Sequence, residues 1–279
     1  MTAPRPPGQL FVVSTPIGNM GDFSFRGVEV LRSVRAVLAE DTRHTRHLLE
    51  RYEIATPMLA YHEHNEARMT PVLLDRLRAG EDLALVTDAG TPLVSDPGAR
   101  LVRGAVEAGV RVVPVPGATA MLTALVASGI DAGRFTFFGF LPRKGRERAA
   151  AMEQLRVLPH TAVVYEAPSR LAGTLAELAE LGMGERPAAV AREMTKQFEE
   201  VRRGTLDTLR AYYTDAPPRG EIVLVLAGAP AAVVGDDDVR ARARRLRAEG
   251  HSVRDTAAAL AAELGVGRNL AYRIAQEEE

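Results

Sequence analysis

The chain has 279 residues, a formal net charge of −1 and no cysteine. These values exclude disulfides, thiolate nucleophiles and cysteine-bound zinc, and they exclude a basic field over the whole molecule, so any contact with nucleic acid needs a local patch. The longest apolar run, at 121–126, is far shorter than the ~20 residues of a membrane span, and Pro4, Pro6 and Pro7 replace the apolar stretch of a signal peptide. We therefore expect a cytoplasmic protein with no membrane partner.

Short apolar segments alternate with segments of helical spacing along the first half of the chain. Strands are predicted at 10–14, 36–40, 82–87 and 111–115, with helical spacing at 27–38 and helices at 42–52, 71–78, 99–108 and 118–128. Pro71 is placed in the first turn of its helix, where a missing N–H does no harm. This alternation predicts a parallel sheet covered by helices, with ligands in the loops at the carboxyl ends of its strands.

The second half starts another sheet and ends in helices. Strands are predicted at 135–140, 162–165, 187–191 and 221–226, and helices at 146–155, 169–181, 205–213, 239–248, 253–264 and 268–275. Because more of these strands can pair antiparallel, we expect a mixed sheet. The last three helices, separated by glycine-containing turns, have a helix-turn-helix pattern. That pattern fits a nucleic-acid contact and also fits a small bundle used for dimerisation or capping.

The predicted fold class is α/β with two lobes, a mostly parallel sheet in the first and a mixed sheet in the second, plus a small all-α C-terminal domain. The predicted segments are a disordered N-terminus at 1–9, an N-terminal α/β lobe at 10–116, a second α/β lobe at 117–228, a linker at 229–238 and a helical domain at 239–279.

Three loops at predicted strand ends are rich in small residues. They are TPIGN at 15–19, DAGTPLVSDPG at 88–98 and PGATA at 116–120. Glycine lets backbone approach a ligand closely, and a helix that starts after the third loop offers free N–H groups. Asp88 is placed to meet a ligand amine or sulfonium by charge. The dinucleotide fingerprint G-x-G-x-x-G is missing.

Three charged clusters, at 40–43, 165–170 and 191–197, also follow predicted strands. Each one alone is as readily a helix cap or a salt bridge, but three at strand ends together predict a functional cleft. His44, His47, His62 and His64 show no third ligand at a recognisable metal-site spacing, so we expect no metal.

The motifs at 15–19, 39–49, 88–98, 114–120, 137–145, 165–171 and 191–200 together resemble the tetrapyrrole methylase-like, or class III, methyltransferases. Within that family they are most similar to the branch that modifies small-subunit ribosomal RNA. The resemblance runs from about residue 10 to residue 228, and the C-terminal helices resemble that branch's helical extension. It implies a two-lobed enzyme, usually a homodimer, that binds S-adenosylmethionine between the lobes. The implied activity is 2′-O-ribose methylation of one cytidine, cytidine 1402 of 16S rRNA, in the small ribosomal subunit.

The resemblance also implies site residues, motif by motif. Cofactor contacts are carried over to Pro16, Asp88, Ala89, Gly90, Val94, Thr119, Ala120, Tyr165 and Met194. One departure is visible, because Ser169 stands where the family usually has histidine. If the family's histidine serves as the base, this chain needs another one.

A ribose hydroxyl is a weak acid, so a group that accepts its proton assists the reaction. Our candidates are Glu40, Asp41, Glu193 and Lys196. Lys196 is one of only two lysines in an arginine-rich chain, which hints at a titratable amine, although a salt bridge to Glu193 or Glu199 explains it equally. Candidate phosphate contacts are Arg43, Arg143, Lys144 and Arg170, with Arg268 and Arg273 on the last helix.

Two rival functions stay open. One is a relative in the same family that methylates a tetrapyrrole, which would not need the C-terminal helices with their arginines. The other is a helix-turn-helix regulator whose α/β part only senses a ligand, which would not need the charged clusters at 40–43 and 192–196.

Overall fold

The computed structural model describes residues 6–230 and 236–278. The chain divides into a large unit that ends at Ala229 and a small unit that starts at Pro230. None of the helices in the described residues is both long and apolar enough to cross a membrane.

The first sheet of the large unit is parallel throughout. Its strands are β1 (Gln9–Val13), β2 (Ala36–Ala39), β3 (Met58–Ala60), β4 (Leu83–Leu85) and β5 (Arg111–Val115), in the order β3-β2-β4-β1-β5. The helices that connect them are α1 (Phe25–Ser33), α2 (Thr42–Arg51), α3 (Glu66–Arg78) and α4 (Ala99–Glu107). An apolar core lies on each face of the sheet. The carboxyl ends of the strands therefore share one edge, as predicted.

Two details of this lobe differ from the prediction. α3 begins at Glu66, so Pro71 lies inside the helix rather than in its first turn. Pro71 is on the exposed side, where water can satisfy the carbonyl that loses its partner. Gly8 and Gln9 are ordered rather than part of a disordered tail: the Gly8 N–H donates to the Leu77 carbonyl at 2.8 Å, and Gln9 starts β1. Residues 1–5, the rest of the predicted disordered N-terminus, lie outside the described residues.

The second sheet is mixed. Its strands are β6 (Phe135–Phe140), β7 (Thr161–Glu166), β8 (Pro187–Arg192), β9 (Glu200–Thr205) and β10 (Ile222–Leu226), in the order β6-β7-β10-β8-β9, with only β6 and β7 parallel. Its helices are α5 (Ala120–Ser128), α6 (Gly145–Val157), α7 (Pro168–Leu178) and α8 (Leu206–Asp215). The two-lobed α/β prediction is confirmed, although the three-residue strand β3 and the six-residue strand β9 had no prediction of their own.

The central strand β10 shows how this sheet fills both faces. All five of its residues are buried, and they alternate between two cores. Leu224 packs with the core beneath α6, α7 and α8, whereas Val223 and Val225 pack with α5. Ile17 from the first lobe belongs to the α5 core as well, so a loop of one lobe is anchored in the other.

The small unit is a three-helix bundle built from α9 (Asp236–Ala248), α10 (Val253–Leu264) and α11 (Arg268–Glu277). α9 starts three residues before the predicted helical domain and inside the predicted linker, of which 231–235 lie outside the described residues. Three aspartates open α9, and acidic side chains in a first turn favour the positive end of the helix dipole. α10 ends at Gly265, which takes the left-handed conformation common at helix ends.

Candidate functional site

The three small-residue loops meet at the carboxyl edge of the first sheet. Thr15 and Gly90 exchange backbone hydrogen bonds of 2.8 and 3.2 Å, and the Thr91 hydroxyl donates to the Ala118 carbonyl at 3.2 Å. A Cβ on Gly117 would lie 2.9 Å from the Ser14 Cβ, so only glycine allows this close approach. The loops therefore form one continuous wall.

This wall borders a cavity of about 310 Å³, here called the acidic cavity. Its lining comprises Ile17, Glu40, Thr87, Asp88, Ala89, Gly90, Thr91, Val94, Asp96, Thr119, Ala120, Tyr165 and Glu221. Four of these carry carboxylates, and no lysine, arginine or histidine of the described residues lines it. A cavity with this charge favours a positively charged ligand.

A hydroxyl joins two of the carboxylates. Thr87 is buried, and its Oγ1 lies 3.1 Å from Glu40 Oε2 and 2.7 Å from Asp96 Oδ2. Burial, together with the negative charges of Glu40 and Asp88, raises the pKa of Asp96 to about 6 against the opposing hydrogen bond from Thr87. Because the hydroxyl has one proton, it can donate to only one carboxylate at a time. When Asp96 is protonated, it donates to the Thr87 hydroxyl and that hydroxyl donates to Glu40, so the three groups form one chain of hydrogen bonds.

A second cavity of about 230 Å³, here called the neighbouring pocket, opens beside the first. Five residues line both cavities: Ile17, Thr87, Asp88, Ala89 and Glu221. The rest of its lining is Thr15, Pro16, Gly18, Met20, His44, Thr45, His47, Leu48 and Lys196. The two cavities are thus adjacent, and of the two only the neighbouring pocket has basic side chains.

Two site loops carry non-glycine residues in the left-handed backbone region. Leu93 and Ser95 have φ of 73° and 68°, and Glu193 and Thr195 have φ of 51° and 67°. Such conformations cost of order 1–3 kcal/mol each and are found most often at functional sites.

Comparison with known proteins agrees with this geometry. Residues 9–210 match the sequence profile of the family described as Tetrapyrrole (Corrin/Porphyrin) Methylases, which is most of the chain. The chain belongs to the tetrapyrrole methylase family. It is therefore a methyltransferase, and the resemblance seen in the sequence motifs is confirmed.

Two relatives align with nearly the whole length of this methylase. It is 44% identical to the Ribosomal RNA small subunit methyltransferase I of Synechocystis sp., with 98% of this chain and 99% of the relative aligned. It is 46% identical to the protein of the same name in Pseudomonas aeruginosa, with 98% of each aligned. Uroporphyrin-III C-methyl transferase from Thermus thermophilus, solved in complex with S-adenyl homocysteine, superposes with a TM-score of 0.57. That structure is 21% identical and covers 79% of this chain and 97% of its own, so it supports the fold alone.

Most of the predicted cofactor-contact residues of this methylase line the acidic cavity. Those that line it are Asp88, Ala89, Gly90, Val94, Thr119, Ala120 and Tyr165. Pro16 lines the neighbouring pocket instead. The side chain of Met194 is buried in the α5 core and lines neither cavity, so a cofactor contact through that side chain is not supported. The Tyr165 hydroxyl accepts a hydrogen bond of 3.2 Å from the Met121 N–H, which fixes its ring at the start of α5.

The structure pairs Lys196, the candidate titratable amine, with two carboxylates. Its Nζ donates to Glu193 Oε1 at 2.9 Å and to Glu221 Oε2 at 3.1 Å. Burial by itself lowers the pKa of Lys196, but the hydrogen bonds and charges of the two glutamates raise it above the usual value. The glutamate predicted as an alternative partner, Glu199, binds the Thr195 N–H instead. Both glutamates thus favour the charged form of Lys196, in which the amine has no free electron pair to accept a proton.

Asp41 and Glu193 are weak bases for a different reason, because hydrogen bonds lower the pKa of each carboxylate. A hydrogen bond from the Arg43 side chain is the main cause that holds the pKa of Asp41 far below its usual value. Asp41 also caps α2 by accepting from the Arg43 N–H at 2.8 Å. Hydrogen bonding from the Glu221 N–H, and then from Lys196, lowers the pKa of Glu193. Of the four predicted groups, Glu40 alone lines the acidic cavity.

The predicted phosphate contacts differ in whether their side chains already form ion pairs within the described residues. Arg143 and Lys144 are exposed, with no ion pair among the described residues. Arg170 is committed, since its guanidinium lies 2.5 Å from the buried Glu166 carboxylate and donates to the Leu141 carbonyl at 3.1 Å. Both contacts hold the strand end before Arg143, and an RNA contact of Arg170 stays a prediction. Arg43 is exposed but bound to Asp41.

Three other predicted positions line neither cavity. Ser169, the departure from the family pattern, is in the first turn of α7 and lines neither cavity. In the small unit, Arg268 lines a shallow groove with Arg254 and Tyr272, and Arg273 lies 4.0 Å from Glu277.

Sequence reasoning missed Thr87, Asp96, Glu221 and Thr45. Asp96 lies in the small-residue loop at 88–98, and the presence of a second aspartate after Asp88 in one loop was the available signal for a pair of carboxylates. Thr87 ends a strand in front of that loop. Glu221 gave no signal, because it reaches the site only through the pairing of β10 with β8.

Proposed function

We propose that this methylase transfers a methyl group from S-adenosylmethionine to the ribose 2′-oxygen of a cytidine in 16S rRNA, by resemblance cytidine 1402, in the cytoplasm. The observation that carries the proposal is an acidic cavity that shares five lining residues with a pocket lined by His44, His47 and Lys196. The first suits a cationic methyl donor and the second suits a polyanionic acceptor. The names of the aligned relatives support the choice of RNA.

The lining of the acidic cavity fits the donor. S-adenosylmethionine supplies a methyl carbon on a positively charged sulfur, together with an ammonium group. Asp88, Glu221 and the Glu40–Asp96 pair provide the compensating negative charge. Thr119, at the start of α5, makes no capping bond with its side chain, and its hydroxyl interacts with Tyr165 in the same lining. The described residues contain no group of three or more acidic or histidine side chains placed to hold a metal ion.

Glu40 is the proton acceptor in this proposal. The ribose hydroxyl loses its proton as its oxygen bonds to the methyl carbon, and the carbon–sulfur electron pair stays on sulfur. Glu40 takes that proton, and the Thr87 hydroxyl then turns its own hydrogen bond towards Asp96. Positioning of the two reactants supplies the larger part of the rate, with effective molarities worth up to roughly 7–11 kcal/mol.

The pH dependence should report Asp96. As pH falls through about 6, Asp96 gains a proton, donates to Thr87 and thereby fixes the Thr87 proton on Glu40, which weakens Glu40 as a base. We expect kcat at saturating substrates to rise through about pH 6 in the wild type and to lose this step in Asp96→Asn. An unchanged inflection in the variant would assign it to another group.

The free energy of unfolding should fall as pH rises, in the opposite direction to kcat. Because the folded protein binds the Asp96 proton more tightly than the usual value of 3.8 implies, this contribution to stability is complete below about pH 4 and is lost as pH rises through about 6. Urea unfolding should therefore show a smaller decline between pH 4 and pH 6 in Asp96→Asn than in the wild type.

Exposed cations should make the RNA affinity dependent on salt. Replacing Arg143 and Lys144 together by glutamine should weaken binding of a 16S rRNA fragment and reduce the slope of log K against log salt by about 1 for each phosphate that is no longer neutralised. The measurement is filter binding over a salt series. Arg35→Gln is the matched control, since Arg35 is exposed at the opposite edge of the first sheet, before β2. Equal slopes in all three proteins would remove these two cations from the interface.

The homodimer and the C-terminal contacts belong to the same proposal. The outer side of α5 is apolar, with Leu122 42% and Val126 75% exposed, which favours a self-association surface. Arg268 and Arg273 are proposed as further phosphate contacts on the small unit. The small ribosomal subunit is the proposed partner.

The deciding experiment uses methyl-labelled S-adenosylmethionine with undermethylated small subunits, naked 16S rRNA or uroporphyrinogen as acceptors. The expected product after nuclease digestion is labelled 2′-O-methylcytidine that maps to position 1402. Label on a base, on another nucleotide or on the tetrapyrrole alone would contradict the proposal, and so would the absence of transfer to any acceptor.

A further inference from the structure

The neighbouring pocket has mostly apolar walls. Pro16, Ile17, Met20 and Leu48 form them, and the loop with Met20 is fixed by a hydrogen bond from the Tyr52 hydroxyl to the Met20 carbonyl. Its volume of about 230 Å³ is below the ~300–1,000 Å³ of pockets for larger ligands. Apolar walls around a volume of this size suit one aromatic ring.

Thr45 adds a polar group to this apolar setting. It lies on α2 and is 2% exposed, and its Oγ1 has no hydrogen-bond partner among the described residues. Buried hydroxyls are nearly always paired, because an unpaired one gives up its hydrogen bonds to water without replacement. A ligand with a polar edge would supply the missing partner.

Basic side chains stand beside the same walls. His44 and His47, one helical turn apart on α2, line the pocket and are exposed, and Arg46 on that helix is exposed as well. Lys196 closes the opposite side, where a Cβ on Gly18 would lie only 2.4 Å from its Cγ, so glycine permits the contact. These donors suit the phosphates that flank a nucleoside.

We propose that the neighbouring pocket holds the pyrimidine base of the target nucleotide after it has turned out of the RNA stack. The base lies against Met20 and Leu48, and the Thr45 hydroxyl hydrogen-bonds its polar edge. The flanking phosphates meet His44 and His47. Because five residues line both cavities, a base held here brings its ribose to the acidic cavity and Glu40. This inference rests on the proposed function for the identity of the acceptor.

The test compares the wild type with Thr45→Val, which keeps the side-chain shape and removes the hydroxyl. Thr214→Val is the matched control, since Thr214 is exposed on α8 and donates only to the Arg210 carbonyl. One arm measures the affinity of cytidine 5′-monophosphate in the presence of S-adenosylhomocysteine. The other measures kcat/KM on small subunits that carry cytidine or uridine at the target position. Thermal unfolding checks that each variant is folded.

We expect Thr45→Val to bind cytidine monophosphate about tenfold more weakly and to prefer cytidine over uridine less than the wild type does, while Thr214→Val matches the wild type. If wild type and Thr45→Val agree in both arms, the base does not bind here, whether or not the wild type methylates RNA. If the wild type fails to methylate RNA but the affinities for the nucleotide differ as expected, the pocket assignment stands and the proposed function falls.

Discussion

Replacing Glu40 by glutamine is expected to lower kcat for methyl transfer about 10²–10⁴-fold, the range usual for loss of a general base. The amide keeps the shape of the side chain but cannot accept the ribose proton. The KM for S-adenosylmethionine should change little, because Asp88, Asp96 and Glu221 keep the cavity acidic. Single-turnover transfer of labelled methyl to small subunits measures the chemical step directly.

Glu50→Gln is the control for this substitution. Glu50 is exposed near the end of α2 and lines neither cavity, so its variant should behave as the wild type. Two results would contradict the assignment of Glu40. A fall in kcat of less than about threefold would mean that positioning alone carries the reaction. A rise in KM at unchanged kcat would make Glu40 a cofactor contact and nothing more.

Glu166→Ala is expected to lower the free energy of unfolding by about 3–5 kcal/mol, the cost of removing one partner from a buried ion pair. The Glu166 side chain is fully buried. Its carboxylate lies 2.5 Å from Arg170, accepts from the Thr174 hydroxyl at 2.6 Å and accepts from the Ala167 N–H at 2.8 Å. Arg148 donates to the same Thr174 hydroxyl, which ties it into this network. The substitution therefore removes the acceptor shared by the Arg170 guanidinium, the Thr174 hydroxyl and the Ala167 N–H.

Urea unfolding monitored by circular dichroism measures this loss. Glu153→Ala is the matched control, because Glu153 pairs with Arg156 on the surface of α6 and exposed pairs contribute about 1 kcal/mol or less. A loss in Glu166→Ala no larger than in the control would show that water or a shifted arginine replaces the carboxylate. In that case the network would not be what holds the strand end before Arg143.

The sequence was informative wherever a pattern is local. Hydrophobic periodicity and glycine signals placed most strands and helices, and alternation of the two predicted the parallel sheet. Loops of small residues predicted the ligand edge, and the acidic cavity brings together Asp88, Gly90 and Thr119 from two of them. The 3-residue strand β3 is too short to show a period. Pro71 predicts a helix start because proline is common in the first turn of a helix, whereas α3 begins at Glu66.

What could not be predicted depends on side chains that meet across long sequence separations. Lys196 is unusual in the sequence, but the carboxylates that pair with it are Glu193 and Glu221, and Glu221 comes 25 residues later, directly before β10. Thr45 has no signal in the sequence beyond its place in a predicted helix, and only the folded structure shows that its hydroxyl is buried without a partner among the described residues. Charge compensation and burial are properties of the assembled lobes and leave little trace in local spacing.

The left-handed residues Leu93, Ser95, Glu193 and Thr195 set a limit on stabilising the site loops. Glycine would relieve the backbone strain at each position, yet it would also widen the range of conformations open to the unfolded loop. These two effects change the free energy of unfolding with opposite signs, so glycine there stabilises the chain by less than relief of strain alone would. All four positions lie in loops that follow strands, whereas no strand of the described residues contains a left-handed residue other than glycine.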